Sequence, residues 1–196
     1  MAAKWDSPPL RLGLWVAATE VEGPGRRFAL WVQGCPLRCR SCCNPQLLSF
    51  SGGQVLAVEE VLEHIAATPG LEGISLLGGE PLAQADPLAT LAEAVQSLGL
   101  TVMVYSGYTL GQIRTWRDPA AMRLLAATDL LVDGPYDRSL PEERRRWIGS
   151  RNQVLHFLSP RYSPADPRFW QANGVEIRLV NGTLTINGFP WGRGLP

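Results

Sequence analysis

Gln33-Gly34-Cys35-Pro36-Leu37-Arg38-Cys39-Arg40-Ser41-Cys42-Cys43-Asn44 holds all four cysteines of a chain of 196 residues. Cys35, Cys39 and Cys42 stand at C-x3-C-x2-C spacing, which lets one loop wrap three thiolates around a compact inorganic centre. A mononuclear zinc site normally takes four ligands, and Cys43, His64 or His156 could supply the fourth. A [4Fe–4S] cube is usually held by four thiolates, so three leave one iron open to an exogenous ligand. The spacing alone leaves both centres open. Disulfides are disfavoured, because adjacent cysteines within nine residues make a strained framework and Met1 to Asp6 contains no apolar run resembling a signal peptide. That points to the cytoplasm.

Outward from the cysteines, Leu12 to Thr19 and Phe28 to Gln33 read as strands joined by a Gly23-Pro24-Gly25 turn, the second delivering the chain into the loop. Val58, Val61, Leu62 and Ile65 form a helical stripe stopped by Pro69-Gly70. Ile74 to Leu77 is a short strand ending in Gly78-Gly79-Glu80-Pro81. Asp86 is placed to cap a helix striped by Leu88, Leu91, Ala92, Val95 and Leu98 and closed by Gly99. Leu100 to Tyr105 is a strand ending in Ser106-Gly107-Tyr108, with one or two short helices between Leu110 and Ala127. Leu130 to Val132 is a strand ending in Asp133-Gly134-Pro135. A charged helix is expected around Pro141 to Trp147, a strand over Val154 to Leu158, loop from Ser159 to Pro167, and a hairpin over 175–186 turning at Asn181-Gly182.

Strands alternating with helices imply parallel strands whose C-terminal ends share one edge, where α/β folds keep their sites. The cysteine loop, Gly78 to Pro81, Ser106 to Tyr108 and Asp133 to Pro135 each follow a strand, so the four converge. A glycine pair at a strand end lets a ligand approach bare backbone. Glu80 could accept hydrogen bonds from an ammonium group or orient the loop, and Pro81 fixes the turn. Alone, such a stretch is more often a plain sheet-to-helix turn, but beside a cysteine loop the ligand reading gains weight. Asp133 suits a ribose hydroxyl or a cation as well as a loop cap, and Tyr108 could line a pocket or only pack. Cys43 reads as a small buried residue rather than a redox thiol, and His64 and His156 as structural or solvated. The seven tryptophans are expected mostly in the core, with Trp191 covering the open side of the fold.

The length suits one domain, and the formal charge of zero calls for neither nucleic acid nor an anionic membrane. No apolar run approaches a membrane span. Lys4 is the only lysine, and Arg144 to Arg146 read as a solvated face rather than a docking patch for an acidic partner.

Cluster and glycine loop together resemble the radical S-adenosylmethionine enzymes. Gln33-Gly34-Cys35, Asn44-Pro45, Ser106-Gly107-Tyr108-Thr109, Leu131 to Pro135, and Gly149-Ser150 with Asn152-Gln153 are similar to the small glycyl-radical-activating enzymes of the anaerobic ribonucleotide reductase type, over about Phe28 to Leu158. The resemblance implies one domain over 1–196, with a core at about 28–158 in a partial, open (β/α) barrel and a C-terminal extension carrying the hairpin. It implies one [4Fe–4S] cluster on Cys35, Cys39 and Cys42, whose fourth iron chelates S-adenosyl-L-methionine, with Gly78, Gly79, Glu80 and Pro81 at the methionine moiety and Ser106, Gly107, Tyr108 and Asp133 nearby. The positions flanking the third cysteine, which help seat the adenine in that family, are Ser41 and Cys43 here rather than aromatic or histidine. The implied reaction is reductive cleavage of the cofactor to a 5′-deoxyadenosyl radical that takes hydrogen from a glycine of a partner glycyl radical enzyme. The electron comes from an external flavodoxin or ferredoxin, since no cysteines remain for a second cluster. A peptide or small-molecule target and, further off, a zinc-binding interaction module are the alternatives.

Overall fold

The computed structural model describes residues 7–180 and 182–189. The chain opens with β1 (Leu10–Thr19) and β2 (Arg27–Val32), then passes through the cysteine loop to β3 (Gln54–Leu56) and α1 (Val58–Ala66). It continues as β4 (Gly73–Gly78), α2 (Ala85–Ser97), β5 (Thr101–Tyr105), α3 (Leu110–Thr115), α4 (Pro119–Ala126) and β6 (Leu130–Asp133). A long loop leads to β7 (Val154–Phe157), and the last elements are β8 (Val175–Val180) and β9 (Thr183–Gly188).

Seven strands form one mixed sheet in the order β3-β1-β2-β4-β5-β6-β7, with β8 and β9 as a separate hairpin. The four central strands, β2, β4, β5 and β6, are parallel, because β4, β5 and β6 are each reached from the strand before through a helical crossover. β1 and β7 run antiparallel to their neighbours, β7 because the chain doubles back from β6 without a helix. Val32 pairs with Gly78 and Tyr105 with Val132, so these strands end level and their exits stand side by side. The sheet is open, with β3 and β7 at its edges.

Alternation along the strands sends residues to two differently built faces. Phe28, Leu30, Val32, Ile74, Leu76, Val102, Val104 and Leu131 pack under Val58, Val61 and Ile65 of α1 and Leu88, Leu91, Ala92 and Val95 of α2, an apolar core. On the other face, Met103, Leu130 and Val132 meet Trp147, Ile148, Tyr162 and Phe169 from the segments after β6 and β7. Arg27 is fully buried on this second face. Its guanidinium donates to Ser75 Oγ at 2.8 Å, to Thr101 Oγ1, Tyr162 Oη and the Pro24 carbonyl at 3.1 Å, and to the Ile74 carbonyl. Tyr162 in turn donates to Glu72 Oε1 at 2.7 Å, so one buried cation ties the late chain to the sheet.

Several expectations are corrected. No helix forms over Pro141 to Trp147. Glu142 Oε1 accepts from the Glu143, Arg144 and Arg145 amides, but Arg145 donates to the carbonyls of Gln153 and Arg151 and Trp147 turns inward with φ +63°, which together hold the segment in turns. α2 begins at Ala85, and Asp86 does not cap it; its carboxylate lies 3.1 Å from Arg123 instead. Leu98 ends that helix 52% exposed, off the buried stripe. The three-residue β3 was too short to show in the pattern. Of the described tryptophans, Trp31 and Trp147 are buried while Trp116 and Trp170 are exposed. The hairpin is present, with Gly182 at φ +78°, whereas Asn181 and Trp191 lie outside the described residues.

Candidate functional site

The exits of the parallel strands enclose a cavity of about 120 Å³ lined by Cys35, Cys39, Cys42, Gly79, Glu80 and Ser106, among others. The base of the cysteine loop is pinned by backbone pairing, with Gly34 N donating to Leu47 O at 2.9 Å and Cys35 N to Leu48 O at 3.2 Å. Gln33 Nε2 donates to Ser49 O at 2.7 Å, and Gln84 Nε2 holds the carbonyls of Arg11 and Gln33 at 2.9 and 3.0 Å. Arg38 sits at φ +48°, the sharp bend that brings Cys39 back toward Cys35.

The thiols face one another's charge. Burial pushes the Cys35 and Cys39 thiols up, reinforced by the charge of Glu80 at Cys35 and of Cys42 at Cys39. The Cys43 thiol donates to Cys42 and holds it below the usual thiol value, so Cys42 is the readier thiolate of the two. Among the described residues no three ligating side chains close around a single ion. Three soft sulfur donors spread along the wall of one cavity suit the separate corners of an iron–sulfur cluster, each binding a different metal. The donor set therefore fits such a group.

Gly78 and Gly79 are required by chain packing. Gly78 has φ +108°, and a Cβ there would strike the backbone of Trp31 and Val32; at Gly79 it would strike the Gly34 carbonyl. The loop can thus lie directly on the exit of β2, where Gly79 N donates to Val32 O at 2.8 Å and Glu80 N to Gly34 O at 2.9 Å. Gly107 makes room in the same way for the Leu37 side chain of the cysteine loop.

Glu80 is 1% exposed and holds the site together. Its Oε1 accepts from Leu82 N and Ser106 Oγ, each at 3.0 Å, and its Oε2 from Gly107 N at 2.9 Å. Burial pushes its carboxyl up to about 7 against the pull of those donors. A carboxylate has about four lone-pair positions, so one on Oε2 remains for a further donor.

Other sequence-selected residues divide. Ser106 and Gly107 line the cavity, as does Cys43, an exposed residue rather than the buried filler expected, whose thiol reaches Cys42. Ser41 is exposed and outside the lining. Pro81 is buried at the start of a short turn, Pro81–Gln84, behind the cavity wall. Tyr108 packs edge-on against Trp116 at 4.5 Å. Asp133 accepts from Leu110 N at 2.5 Å. His156 Nε2 lies 2.9 Å from Asp133 Oδ2, without the alignment of a hydrogen bond, and His64 stacks on Trp15. Leu37, Leu77, Tyr105, Tyr136 and Phe189 also line the cavity and carried no chemical signal in the sequence. Leu77 and Tyr105 could have been found from their odd positions at strand ends, opposite the helix-facing stripe.

The family described as a 4Fe-4S single cluster domain matches residues 21–156. The chain is similar to the anaerobic ribonucleoside-triphosphate reductase-activating protein of Vibrio cholerae, 32% identical over 145 residues, covering 69% of this chain and 90% of the relative. The protein of that name from Escherichia coli K12 is 31% identical over 147 residues, 70% of this chain and 92% of its own length. The one from Enterobacteria phage T4 is 29% identical over 142 residues, 69% and 86%.

Proposed function

The chain belongs to the 4Fe-4S single cluster family and, within it, to the anaerobic ribonucleoside-triphosphate reductase-activating proteins, and on that premise we propose how its residues do the work. It is a radical S-adenosylmethionine enzyme of the glycyl-radical-activating type. Cys35, Cys39 and Cys42 would hold one [4Fe–4S] cluster, whose remaining iron would be left for S-adenosyl-L-methionine. The cluster and cofactor supply one-electron chemistry that ends in hydrogen abstraction from a glycine of an anaerobic ribonucleotide reductase. The observation that carries this reading is that the cysteine loop and Glu80 line one small cavity at the exits of adjacent parallel strands.

Within that cavity, the open position on Glu80 Oε2 accepts a hydrogen bond from the ammonium group of the methionine moiety. Leu37, Leu77, Tyr105 and Phe189 exclude water around it, which strengthens every polar contact inside. Ser106 and Gly107 fix the Glu80 carboxylate, so they act through it. Cys43 keeps Cys42 ready for ligation, and Ser41 leaves the adenine to other surfaces. The four parallel strands and their antiparallel neighbours are read as a partial open (β/α) barrel within one domain, its core at about 28–158 and the hairpin an extension. A flavodoxin or ferredoxin in the cytoplasm supplies the electron. No helix among the described residues is long and apolar enough to cross a membrane.

The test is anaerobic reconstitution with iron and sulfide, then EPR of the dithionite-reduced protein with and without S-adenosylmethionine. An S = 1/2 cluster signal that changes on adding the cofactor, with production of 5′-deoxyadenosine, is expected. A signal indifferent to the cofactor, and no cleavage, would sink the proposal.

A further inference from the structure

The C-terminal hairpin lies beyond the family-matched residues 21–156, and it is built inside out. Its inward face is polar. Asn187 Nδ2 donates to Thr19 Oγ1 at 2.9 Å, Gly188 N to Glu22 Oε1 at 2.7 Å and Arg178 to the Ala18 carbonyl at 2.5 Å, while Glu176 accepts from Glu20 N at 2.8 Å. Its outward face is apolar. Ile177 pairs across the strands with Ile186, and Leu179 with Leu184, and these four side chains are 52–72% exposed. A polar outer face would leave the inward latch among the described residues untouched.

That surface is continuous with the site. Ile186 and Phe189 line a second cavity of about 280 Å³ between hairpin and sheet, which shares Cys43, Asn44, Leu77 and Phe189 with the cluster cavity. Phe189, at the end of the hairpin, lines the cluster cavity, so the hairpin borders the place where a macromolecule would present a C–H bond. We propose that the outward face of the hairpin, at Ile177, Leu179 and Leu184, is the docking surface for the protein partner, the reductase resting on it while one of its loops reaches past Ile186 and Phe189 into the site. This rests on the reading of the chain as an activator of a protein partner. Among the described residues the hairpin pairs with no further strand, and two open edges with paired apolar side chains are what an apolar, extended segment of a partner recognises.

The experiment uses the reconstituted protein and the anaerobic ribonucleoside-triphosphate reductase of the same organism. In the triple variant Ile177→Thr/Leu179→Thr/Leu184→Thr, threonine keeps strand propensity and the inward latch while removing the apolar surface. Anaerobic binding of the reductase, measured by interferometry, is expected to need at least a tenfold higher concentration for half-saturation. Cleavage of S-adenosylmethionine without the reductase, driven by dithionite, stays at the parent level. Leu179→Lys/Leu184→Glu, which replaces an apolar cross-strand pair by an ion pair, serves as a second folded variant and is expected to lose binding likewise. Unchanged half-saturation in both variants overturns the proposal. So does loss of cleavage in parallel with binding, which would make the hairpin a support of the site. A self-associating parent that both variants convert to monomer without change in reductase binding overturns it in favour of a second copy. If neither parent nor variants cleave the cofactor but the variants still bind the reductase tenfold more weakly, docking stands and the enzymatic reading fails.

Discussion

The two faces of the sheet are closed by different physics. Under α1 and α2 the core is mostly aliphatic and alanine-rich, with Phe28 among it, and is held chiefly by burial. On the other face, aromatic side chains from the late chain share the interior with Arg27, Ser75, Thr101 and Tyr162, joined in one hydrogen-bonded network. The first face tolerates adjustment, since apolar contacts are non-directional. The second depends on geometry, because each buried polar group needs its partner. The site lies at the strand exits and takes Leu77 and Tyr105 into its lining, while Arg27 and its partners hold the strand starts.

The largest effect that would break this contrast is expected at Arg27. Arg27→Met removes a donor from Ser75, Thr101 and Tyr162 together and should cost about 4 kcal/mol, each buried unpaired group contributing about 1–3 kcal/mol. Urea unfolding followed by tryptophan fluorescence measures it, and a cost near zero would mean the polar network is incidental. Leu88→Ala on the aliphatic face is expected to cost about 3 kcal/mol through lost burial and a partly collapsed cavity, with cofactor cleavage by the surviving folded protein unchanged. Equal damage to cleavage would show that the helical face also shapes the site.

A smaller effect is titration. Burial pushes Glu22, latched to Gly188 and Asn187, from 4.5 up to about 7. A carboxyl raised on folding contributes most below its unfolded pKa and loses that contribution as pH rises through its folded value. Unfolding free energy should therefore fall between about pH 5 and pH 7.5. Glu22→Gln should flatten this slope by on the order of 2 kcal/mol, with Glu80 supplying a remaining slope of the same sign. Unfolding curves across that range would decide, and an unchanged slope in the variant would remove Glu22 from the account. The smallest effect is on the outer side of the helical layer. Arg123 bridges Asp86 and Glu93 at 3.1 and 2.8 Å, but all three are nearly half exposed, so Arg123→Ala should shift stability by no more than about 1 kcal/mol. A larger loss, read from the same unfolding curves, would show that surface pairing carries this face.

Legibility in the sequence followed the same divide. The stripes of α1 and α2 and the four parallel strands could be read because apolar periodicity directly encodes an aliphatic face. The loop around Trp147 could not, since its charged run suited a helix until tertiary contacts to Gln153, Arg151 and Asn173 pulled it into turns. The hairpin was legible as a hairpin, but not which side faced inward, because its polar face is the packed one. At the site, the cysteines and Glu80 were visible as chemistry, whereas the partners of Asp133 and Tyr108, Leu110 and Trp116, stand at the two ends of α3, and no local pattern joins them.

By itself the sequence determined the cysteine spacing, the glycine loop and the order of strands and crossovers, because local patterns and connection rules specify these without reference to distant residues. Only the tertiary structure decided that Gly78 and Gly79 admit the backbone at the exit of β2, that Glu80 joins the cysteine loop to the loop after β5, and that a buried arginine at the start of β2 anchors the late chain to the sheet. Those facts join residues far apart in the chain, and no periodicity carries the information of which distant group fills a given space.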